Sequence, residues 1–205
     1  MELACLDLEG VLIPEIWIAF AQETGIEELK ATTRDIPDYD VLMQQRLRIL
    51  DQHGLTLAQI QHTISRLAPL EGAREFIDWL RERFQVVILS DTFYEFAAPL
   101  MKQLGYPTLL CHELAVDRSG RITDYILRQR DPKRQSVRAL QLLNFRVIAA
   151  GDSYNDTTML TQAEAGILFH APDNVIAEFP QFPAVDTYAE LKRAFIDASL
   201  RDLTL

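Results

Sequence analysis

The sequence predicts an α/β protein built on a parallel, Rossmann-like sheet. Short apolar runs with the composition of buried strands recur along the chain, and segments with helical spacing separate most of them. Parallel strands need such crossover connections, because a tight turn joins only antiparallel neighbours. One long interval lacks strands, and another region alternates around a glycine. We therefore expect an inserted helical cap and a β-hairpin flap beside the sheet.

Five runs are expected to form the main strands of the sheet. They lie at 3–6, 86–89, 108–111, 147–150 and 167–170. A further region, 112–127, consists of two alternating stretches around Arg118-Ser119-Gly120. Glycine accepts the backbone conformations of hairpin turns, so this region is expected to form the flap.

Helical spacing is clearest in the segment 71–84. Its apolar residues recur at i, i+3, i+4 and i+7, at Ala73, Phe76, Ile77, Leu80 and Phe84. The same reasoning predicts helices at 94–105, 132–144 and 187–200, the first of them ending at Gly105. The proline-containing stretch 172–183 is expected to be a loop.

The interval 14–70 contains no convincing strand. Its helical segments are 15–25, 39–54 and 56–67. We interpret this interval as a cap domain inserted after the first strand. The predicted domains are therefore a core of residues 1–13 and 71–205 and a cap of residues 14–70.

Composition limits the classes of function. The chain has 205 residues and a formal net charge of −10, which argues against nucleic-acid and anionic-membrane partners because no basic patch is available. Cys5 and Cys111 lie in apolar runs, as reduced core thiols do. The apolar N-terminal stretch carries acids and no basic region, so we expect neither a signal peptide nor a membrane span, and a cytoplasmic location. The oligomeric state is left open.

Polar side chains are concentrated where the predicted strands end. Ligands of open parallel sheets bind outside the carboxyl ends of the strands, so these side chains are expected to meet at one edge. They are Asp7, Glu9, Ser90, Asp91, Thr92, Lys133, Asp152 and Asp156.

Each of these residues also has a structural interpretation. Thr92 and Glu95 have the spacing of a helix capping box, and the segment GDSYND could cap the helix that follows it. Lys133, taken alone, resembles a solvated surface lysine. The convergence of several acids favours a site, because gathered carboxylates repel one another unless a cation holds them. Mg²⁺, which takes oxygen ligands and substrate phosphate, is the expected cation.

Four segments resemble the motifs of the haloacid dehalogenase superfamily of Mg²⁺-dependent phosphatases. They are Asp7-Leu8-Glu9-Gly10-Val11, Ser90, Lys133 and Gly151-Asp152-Ser153-Tyr154-Asn155-Asp156, in this order along the chain. The position of the cap and the hairpin resembles phosphoserine phosphatases. The segments DLEGVLIPE and GDSYND are most similar to the branch with phosphoserine phosphatase and phosphoserine:homoserine phosphotransferase activity.

The resemblance implies a covalent mechanism at the first motif. Asp7 would be the nucleophile that forms an aspartyl-phosphate, which divides one difficult step into two. Mg²⁺ would be held by Asp7, the backbone carbonyl of Glu9, and Asp152, and Asp156 would complete this acidic group or orient its waters. The expected substrate is a small phosphorylated amino acid.

The remaining motif residues would surround the phosphoryl group. Lys133 and the Ser90 hydroxyl would offset its negative charge, and Lys133 would also restrain Asp7. Asn155 and Asp91 are expected on the substrate side of the site. In the cap, Glu15 and Arg46 match the residues that bind the substrate amino group and carboxylate, with Arg48 as the alternative to Arg46.

Glu9 departs from the family pattern, which usually has Asp two residues after the nucleophile. This acid protonates the leaving oxygen and then activates water, and one extra methylene displaces it. We hypothesise that a slower water step lets an alcohol such as homoserine accept the phosphoryl group.

Other functions are weighed against this one. A P-loop kinase and a dinucleotide oxidoreductase lack their glycine motifs here. A dehalogenase would not need the acidic pair Asp152 and Asp156. The alternatives left open are a phosphatase for another small phosphomonoester and a noncatalytic aspartyl-phosphate receiver domain, although a receiver has no need of a cap.

Overall fold

The sheet of this protein is centred on its first strand. The computed structural model describes residues 1–32, 35–36 and 38–204, and in them a seven-stranded sheet has the order β4-β3-β2-β1-β5-β6-β7. Its strands are β1 (Glu2–Leu6), β2 (Gln85–Phe93), β3 (Thr108–Val116), β4 (Ile122–Ile126), β5 (Arg146–Gly151), β6 (Ala165–Phe169) and β7 (Ala184–Val185). Neighbouring strands are parallel except β3 and β4, which form the predicted antiparallel hairpin. The predicted α/β class is confirmed.

Crossover helices connect the parallel strands, as the spacing predicts. The helices outside the interval 14–70 are α4 (Ala73–Arg81), α5 (Tyr94–Gln103), α6 (Pro132–Leu142), α7 (Thr157–Gln162), α8 (Asp173–Glu178) and α9 (Tyr188–Ala198). Gly105 follows α5 with a positive φ of 73°, a conformation that favours glycine after a helix. Pro132 occupies the first turn of α6, where its missing N–H removes no helical bond.

The interval 14–70 is helical in its described part. It contains α1 (Ile16–Thr24), a 3₁₀ turn (Glu27–Lys30), α2 (Tyr39–Gln52) and α3 (Leu57–Ile64). These helices contact the hairpin: the Leu57 N–H donates to the carbonyl of Gly120 over 2.8 Å, and Arg121 Nε lies 2.8 Å from Asp51 Oδ1. The hairpin therefore extends the surface that the helical interval presents to the sheet edge.

Three local predictions are wrong. Thr92 does not cap a helix, because β2 continues through Phe93 and the Glu95 carboxylate instead accepts the N–H of Leu114 over 3.1 Å. The expected loop 172–183 contains the short helix α8, whose Val175 is buried. The predicted strand 167–170 is wrong at its end, because β6 ends at Phe169 and His170 has a positive φ of 54°.

Alternation along β1 divides the core between the two faces of the sheet. Ala4 and Leu6 belong to a large cluster that includes side chains of α1, α2 and α3, whereas Leu3 and Cys5 belong to a smaller cluster with residues of β5, β6 and α7. Cys5 and Cys111 are buried free thiols, as predicted. Among the described helices, none has the length and apolar character needed to cross a membrane.

Candidate active site

The candidate site lies at the carboxyl ends of β1, β2 and β5, beside the first turn of α6. Asp7 follows β1 directly, and its backbone N–H donates to the carbonyl of Ala150 in β5 over 3.0 Å. Lys133 Nζ reaches Asp7 Oδ1 at 2.9 Å, and the Leu8 N–H donates to the same oxygen over 2.8 Å. Asp7 Oδ2 thus has no hydrogen bond with the described part of the chain, which leaves it open toward a ligand.

Lys133 is a buried cation surrounded by acids. Only 2% of it is exposed, and its Nζ lies 2.7 Å from Asp156 Oδ1 and 3.4 Å from Asp91 Oδ2. Burial opposes the charge on this amine, but Asp156, Asp7 and Asp91 together raise the pKa of Lys133 well above its ordinary value. The side chain is therefore not the solvated surface lysine that the sequence alone allows.

Asp156 supports the loop between β5 and α7 from beneath. It is fully buried, and its Oδ2 accepts the N–H groups of Asp152 and Ser153 over 3.0 and 3.1 Å. This bonding caps a short 3₁₀ turn that precedes α7, whereas α7 itself, the helix that GDSYND was expected to cap, has no side-chain cap bond. A Cβ at Gly151 would lie 2.4 Å from the Asp156 carboxyl carbon, so glycine is required there.

Asp7, Asp152 and Asp156 form a group that fits a hard divalent cation. Each offers a carboxylate oxygen, and these oxygens lie within 4.8 Å of one another. Burial and then the Asp156 charge raise the pKa of Asp152 to about 7, because the Lys133 charge offsets these two effects only in part. Asp156 already bonds Lys133 and two backbone N–H groups, so Asp7 and Asp152 are the better direct ligands.

Gly10 allows the first motif to approach Asp152. Its φ of 77° favours glycine, and a Cβ there would lie 2.4 Å from Asp152 Oδ2. The backbone around Glu9 can therefore lie against the acidic group, as the predicted carbonyl ligand requires.

Ser90, Asp91 and Thr92 form a bulge in β2. The pairing of β2 with β3 shifts register between Leu89 and Phe93, so these three residues face a single residue of β3. Bulges are common beside active sites, where they redirect side chains. Ser90 is 3% exposed and its Oγ accepts the N–H of Thr92 over 3.2 Å, which leaves the hydroxyl proton for another acceptor.

Asp91 is engaged by protein groups. Asn155 Nδ2 donates to its Oδ2 over 2.9 Å, and His112 Nε2 lies 3.7 Å from its Oδ1. Burial alone would raise the pKa of Asp91, but Lys133, and then His112 and Asn155, hold it well below its usual range. Asp91 is thus an anion that the protein itself satisfies.

Glu9 extends from the first motif to the first helix of the interval 14–70. Its Oε2 accepts the N–H of Ile16, the first residue of α1, over 2.9 Å. Burial raises the pKa of Glu9, which favours a protonated acid. The longer side chain therefore links the nucleophile loop to α1.

Glu15 lies beside Glu9, although part of its surface remains open to solvent. Loss of hydration and then the Glu9 carboxylate raise the pKa of Glu15 to about 7. A cationic group bound here would favour the ionised form of both acids.

Arg46 and Arg48 differ sharply in their surroundings. Arg46 is 7% exposed, its guanidinium lies 4.5 Å from the centre of the Trp17 ring, and its Nη2 donates to the carbonyl of Ala31 over 2.8 Å. The buried Nε of Arg46 has no hydrogen-bond partner in the described chain. Arg48 is exposed, so the environment favours Arg46 as the predicted carboxylate ligand.

The fold therefore gathers the predicted residues in one region, and it adds two, Tyr39 and His112, that the prediction did not include. The Tyr39 hydroxyl donates to the backbone carbonyl of Asp91 over 3.3 Å, Thr92 contacts the Glu9 carboxyl, and His112 contacts Asp91. Thr92 was expected at this sheet edge from its place after Ser90 and Asp91, whereas Tyr39 and His112 carried no such signal in the sequence.

The chain matches the description "haloacid dehalogenase-like hydrolase" over residues 1–164. It belongs to the haloacid dehalogenase-like hydrolase family. This membership agrees with the resemblance found in the four sequence motifs.

Known members of this family include close relatives of the chain. Phosphoserine phosphatase ThrH of Pseudomonas aeruginosa is 75% identical over 205 residues, which are all of both chains. A phosphoserine phosphatase of Pseudomonas syringae pv. tomato is also 75% identical, over all of this chain and 86% of its own. A crystal structure of phosphoserine phosphatase in apo form shares the fold, with a TM-score of 0.77, 22% identity, and coverage of 94% of this chain and 98% of the other.

Proposed function

We propose that this protein hydrolyses L-phosphoserine through an aspartyl-phosphate on Asp7, beneath a cap formed by residues 14–70. The observation that carries the proposal is that one site combines an oriented nucleophile with a buried arginine. Asp7 is oriented by Lys133 at 2.9 Å, and Arg46 is buried with an unpartnered Nε above the same region. The full-length similarity to two proteins named phosphoserine phosphatase supports this substrate.

The reaction would follow from the positions of the acids. A carboxylate oxygen of Asp7 attacks phosphorus, the bond from phosphorus to the serine oxygen breaks, and Glu9 gives that oxygen its proton. Water then attacks the phosphorus of the aspartyl-phosphate and transfers a proton to Glu9. Phosphate leaves, and Asp7 is restored. The raised pKa of Glu9 suits an acid that begins this cycle protonated.

Asp7, Asp152 and the backbone carbonyl of Glu9 would hold Mg²⁺, with Asp156 beneath them. When bound, the ion supplies positive charge to the phosphoryl oxygens. The chain's own cation for this purpose is Lys133, whose charge is secured by three carboxylates.

The recognition of an amino acid would use charges of both signs. Arg46 is suited to the substrate carboxylate, because guanidinium binds carboxylates through two parallel hydrogen bonds. Glu15 is suited to the ammonium group, which would lower its pKa from the raised value of about 7. A phosphomonoester without these two charges would leave both side chains unsatisfied.

A matched pair of variants tests this recognition. Arg46→Ala should raise the KM for phosphoserine by about 30-fold or more, since loss of a buried charge contact costs about 2–5 kcal/mol. Arg48→Ala, on the exposed side of the same helix, should leave the KM unchanged within about twofold. Equal effects of the two substitutions would contradict the assignment.

Transfer to homoserine is a second proposed activity, favoured by one observation. The Glu9 carboxylate accepts the N–H of Ile16, so its position depends on α1 as well as on the nucleophile loop. Displacement of a general base slows water attack, which gives an acceptor alcohol time to react with the aspartyl-phosphate. The products would then be phosphohomoserine and serine.

Product analysis tests both activities together. Phosphoserine and Mg²⁺ are incubated with the protein, with and without homoserine, at the pH of the cytoplasm, where we expect the protein to be located. Phosphohomoserine should form when homoserine is present. Free phosphate as the sole product would exclude transfer and retain hydrolysis. A single stable phosphorylation per chain would favour the receiver alternative, and a preference for other phosphomonoesters would replace the substrate.

A further inference from the structure

His112 is buried behind Asp91, outside the four motifs. It lies in β3 opposite Phe93, directly after the bulge of β2, and only 2% of it is exposed. A buried imidazole needs partners for both ring nitrogens. The N–H of Arg128 donates to His112 Nδ1 over 3.2 Å, and Nε2 lies 3.7 Å from Asp91 Oδ1.

The Arg128 contact determines the tautomer of His112. Since Nδ1 accepts a backbone N–H, the proton of the neutral ring is on Nε2, the nitrogen next to Asp91. The 3.7 Å separation is longer than a regular hydrogen bond. Catalytic contacts are often long before substrate binds and shorten in the complex.

The contacts of His112 close a ring that returns to Lys133. Arg128 Nη2 donates to Ser136 Oγ over 2.8 Å, and Ser136 lies one turn after Lys133 on α6. Ser136 is buried, and its hydroxyl donates to the carbonyl of Pro132 over 2.7 Å. The ring thus connects the ends of β2 and β3 to the start of α6.

We propose that Asp91 and His112 are positioning residues, through which β3 holds Lys133 and Asn155 in place for phosphoryl transfer. The proposal deepens the proposed function and rests on it. Asp91 Oδ2 contacts both Lys133 and Asn155, at 3.4 and 2.9 Å, and Oδ1 faces His112. With both oxygens occupied by protein groups, Asp91 acts on the phosphoryl group through its neighbours.

The physical reason is the need to centre one ammonium among three acids. Without Asp91, the other two carboxylates would draw Lys133 toward Asp7 and Asp156, away from the transferring group. Displacements of about 1 Å can reduce rates about a hundredfold. His112 contributes by restraining the rotation of the Asp91 carboxylate, as outer partners of charged catalytic groups commonly do.

Kinetics with p-nitrophenyl phosphate test the proposal without requiring recognition of serine. His112→Leu removes the donor and should lower kcat about tenfold, with KM unchanged within about twofold. His112→Gln keeps a donor near the Nε2 position and should stay within about threefold of the parent kcat. Leu114→Ala, a buried apolar position two residues along β3, should lower the melting temperature at least as much as His112→Leu and leave kcat unchanged.

A double-mutant cycle tests whether His112 acts through Asp91. Asp91→Asn should lower kcat, and adding His112→Leu to it should have little further effect, because the two residues act as one unit. Independent, multiplying effects would overturn the proposal. So would a normal kcat in His112→Leu, or an equal loss in His112→Gln and His112→Leu.

A spectroscopic measurement separates this inference from the choice of substrate. Long-range ¹H–¹⁵N NMR of the histidine rings, assigned by the signal missing in His112→Gln, should show His112 with its proton on Nε2. A proton on Nδ1 would overturn the proposal. If the protein hydrolyses p-nitrophenyl phosphate but not phosphoserine, the proposed function fails and the variant series still decides the role of His112.

Discussion

The two ends of strand β1 present buried acids in opposite environments. Glu2 opens the strand and Asp7 follows its end, and both side chains are about 5% exposed. Glu2 is surrounded by donors, whereas Asp7 shares its surroundings with other carboxylates. The same strand therefore carries a structural acid at one end and a candidate nucleophile at the other.

Glu2 fastens the C-terminal segment to the sheet. Its carboxylate accepts from Ser199 Oγ at 2.5 Å, the Leu200 N–H at 2.8 Å, Arg201 Nε at 2.8 Å and Arg146 Nη1 at 3.2 Å. Burial would raise the pKa of Glu2, but the hydrogen bonds from Ser199, Leu200 and Arg201 and the Arg201 charge lower it to about 2. The charged form is thus more stable here than in water.

Asp7 has the opposite balance. Burial, and then the Asp156 charge, raise the pKa of Asp7 well above its ordinary value, although Lys133 opposes them. The surroundings of Asp7 therefore favour the neutral form of its carboxyl more than water does. A buried acid whose surroundings raise its pKa is a stronger indication of function than a buried acid that neighbouring donors hold ionised.

The largest effect is expected from Asp7→Asn. Loss of the nucleophile should reduce phosphoserine turnover by about a thousandfold or more. Melting in EDTA should occur at the same or a higher temperature than in the parent, because the amide removes a charge that Asp156 repels. A clear fall in melting temperature together with retained turnover would show that Asp7, like Glu2, is mainly structural.

Lys133→Met should lower both activity and stability. Removing a preorganised cation from a phosphoryl site costs about 10²–10³ in kcat. It also leaves Asp7 and Asp156 without their buried partner, at a cost of about 3–5 kcal/mol in the free energy of unfolding. Arg134→Met, at the next and exposed position of α6, should change kcat and the free energy of unfolding little. Urea unfolding and steady-state kinetics check both, and comparable losses in the two variants would contradict the assignment.

The acids of the site could be predicted because they follow strands. Asp7 and Asp152 come directly after apolar runs, and parallel strands bring their carboxyl ends to one edge. The preference for Arg46 over Arg48 could also be predicted from the sequence. Arg46 is four residues from both Leu42 and Leu50, which lie on the buried face of α2. Arg48 lies on the opposite side.

Tertiary contacts explain what the sequence left hidden. The spacing of Thr92 and Glu95 fits a capping box, but the bulge lets β2 run on, and Glu95 finds a donor in β3 instead. His112 directly follows the apolar run 108–111 and begins the predicted flap, and its partners Asp91 and Arg128 are far from it along the chain. No local pattern connects these three residues.

The smallest effect, and the sharpest contrast to Asp7, is expected from Glu2→Gln. The amide cannot accept all four donors, so the free energy of unfolding at pH 7 should fall by about 1–3 kcal/mol. Activity per folded molecule should not change, because Glu2 is at the far end of β1. Glu82→Gln, which removes an exposed acid paired with Arg83, should cost less than about 0.5 kcal/mol.

The difference in the free energy of unfolding between the parent and Glu2→Gln should depend on pH, and this dependence identifies its cause. The pKa of Glu2 is lowered from 4.5 to about 2 on folding, so the unfolded chain binds this proton first as the pH falls. The stabilisation is complete above the unfolded value of 4.5 and is lost progressively between that value and about 2. The gap between parent and Glu2→Gln in urea unfolding should therefore be constant from about pH 7 to 5.5 and narrow below about pH 4.5. A gap that stays constant down to pH 3 would show that the amide acts through packing, and that Glu2 is not held as an anion.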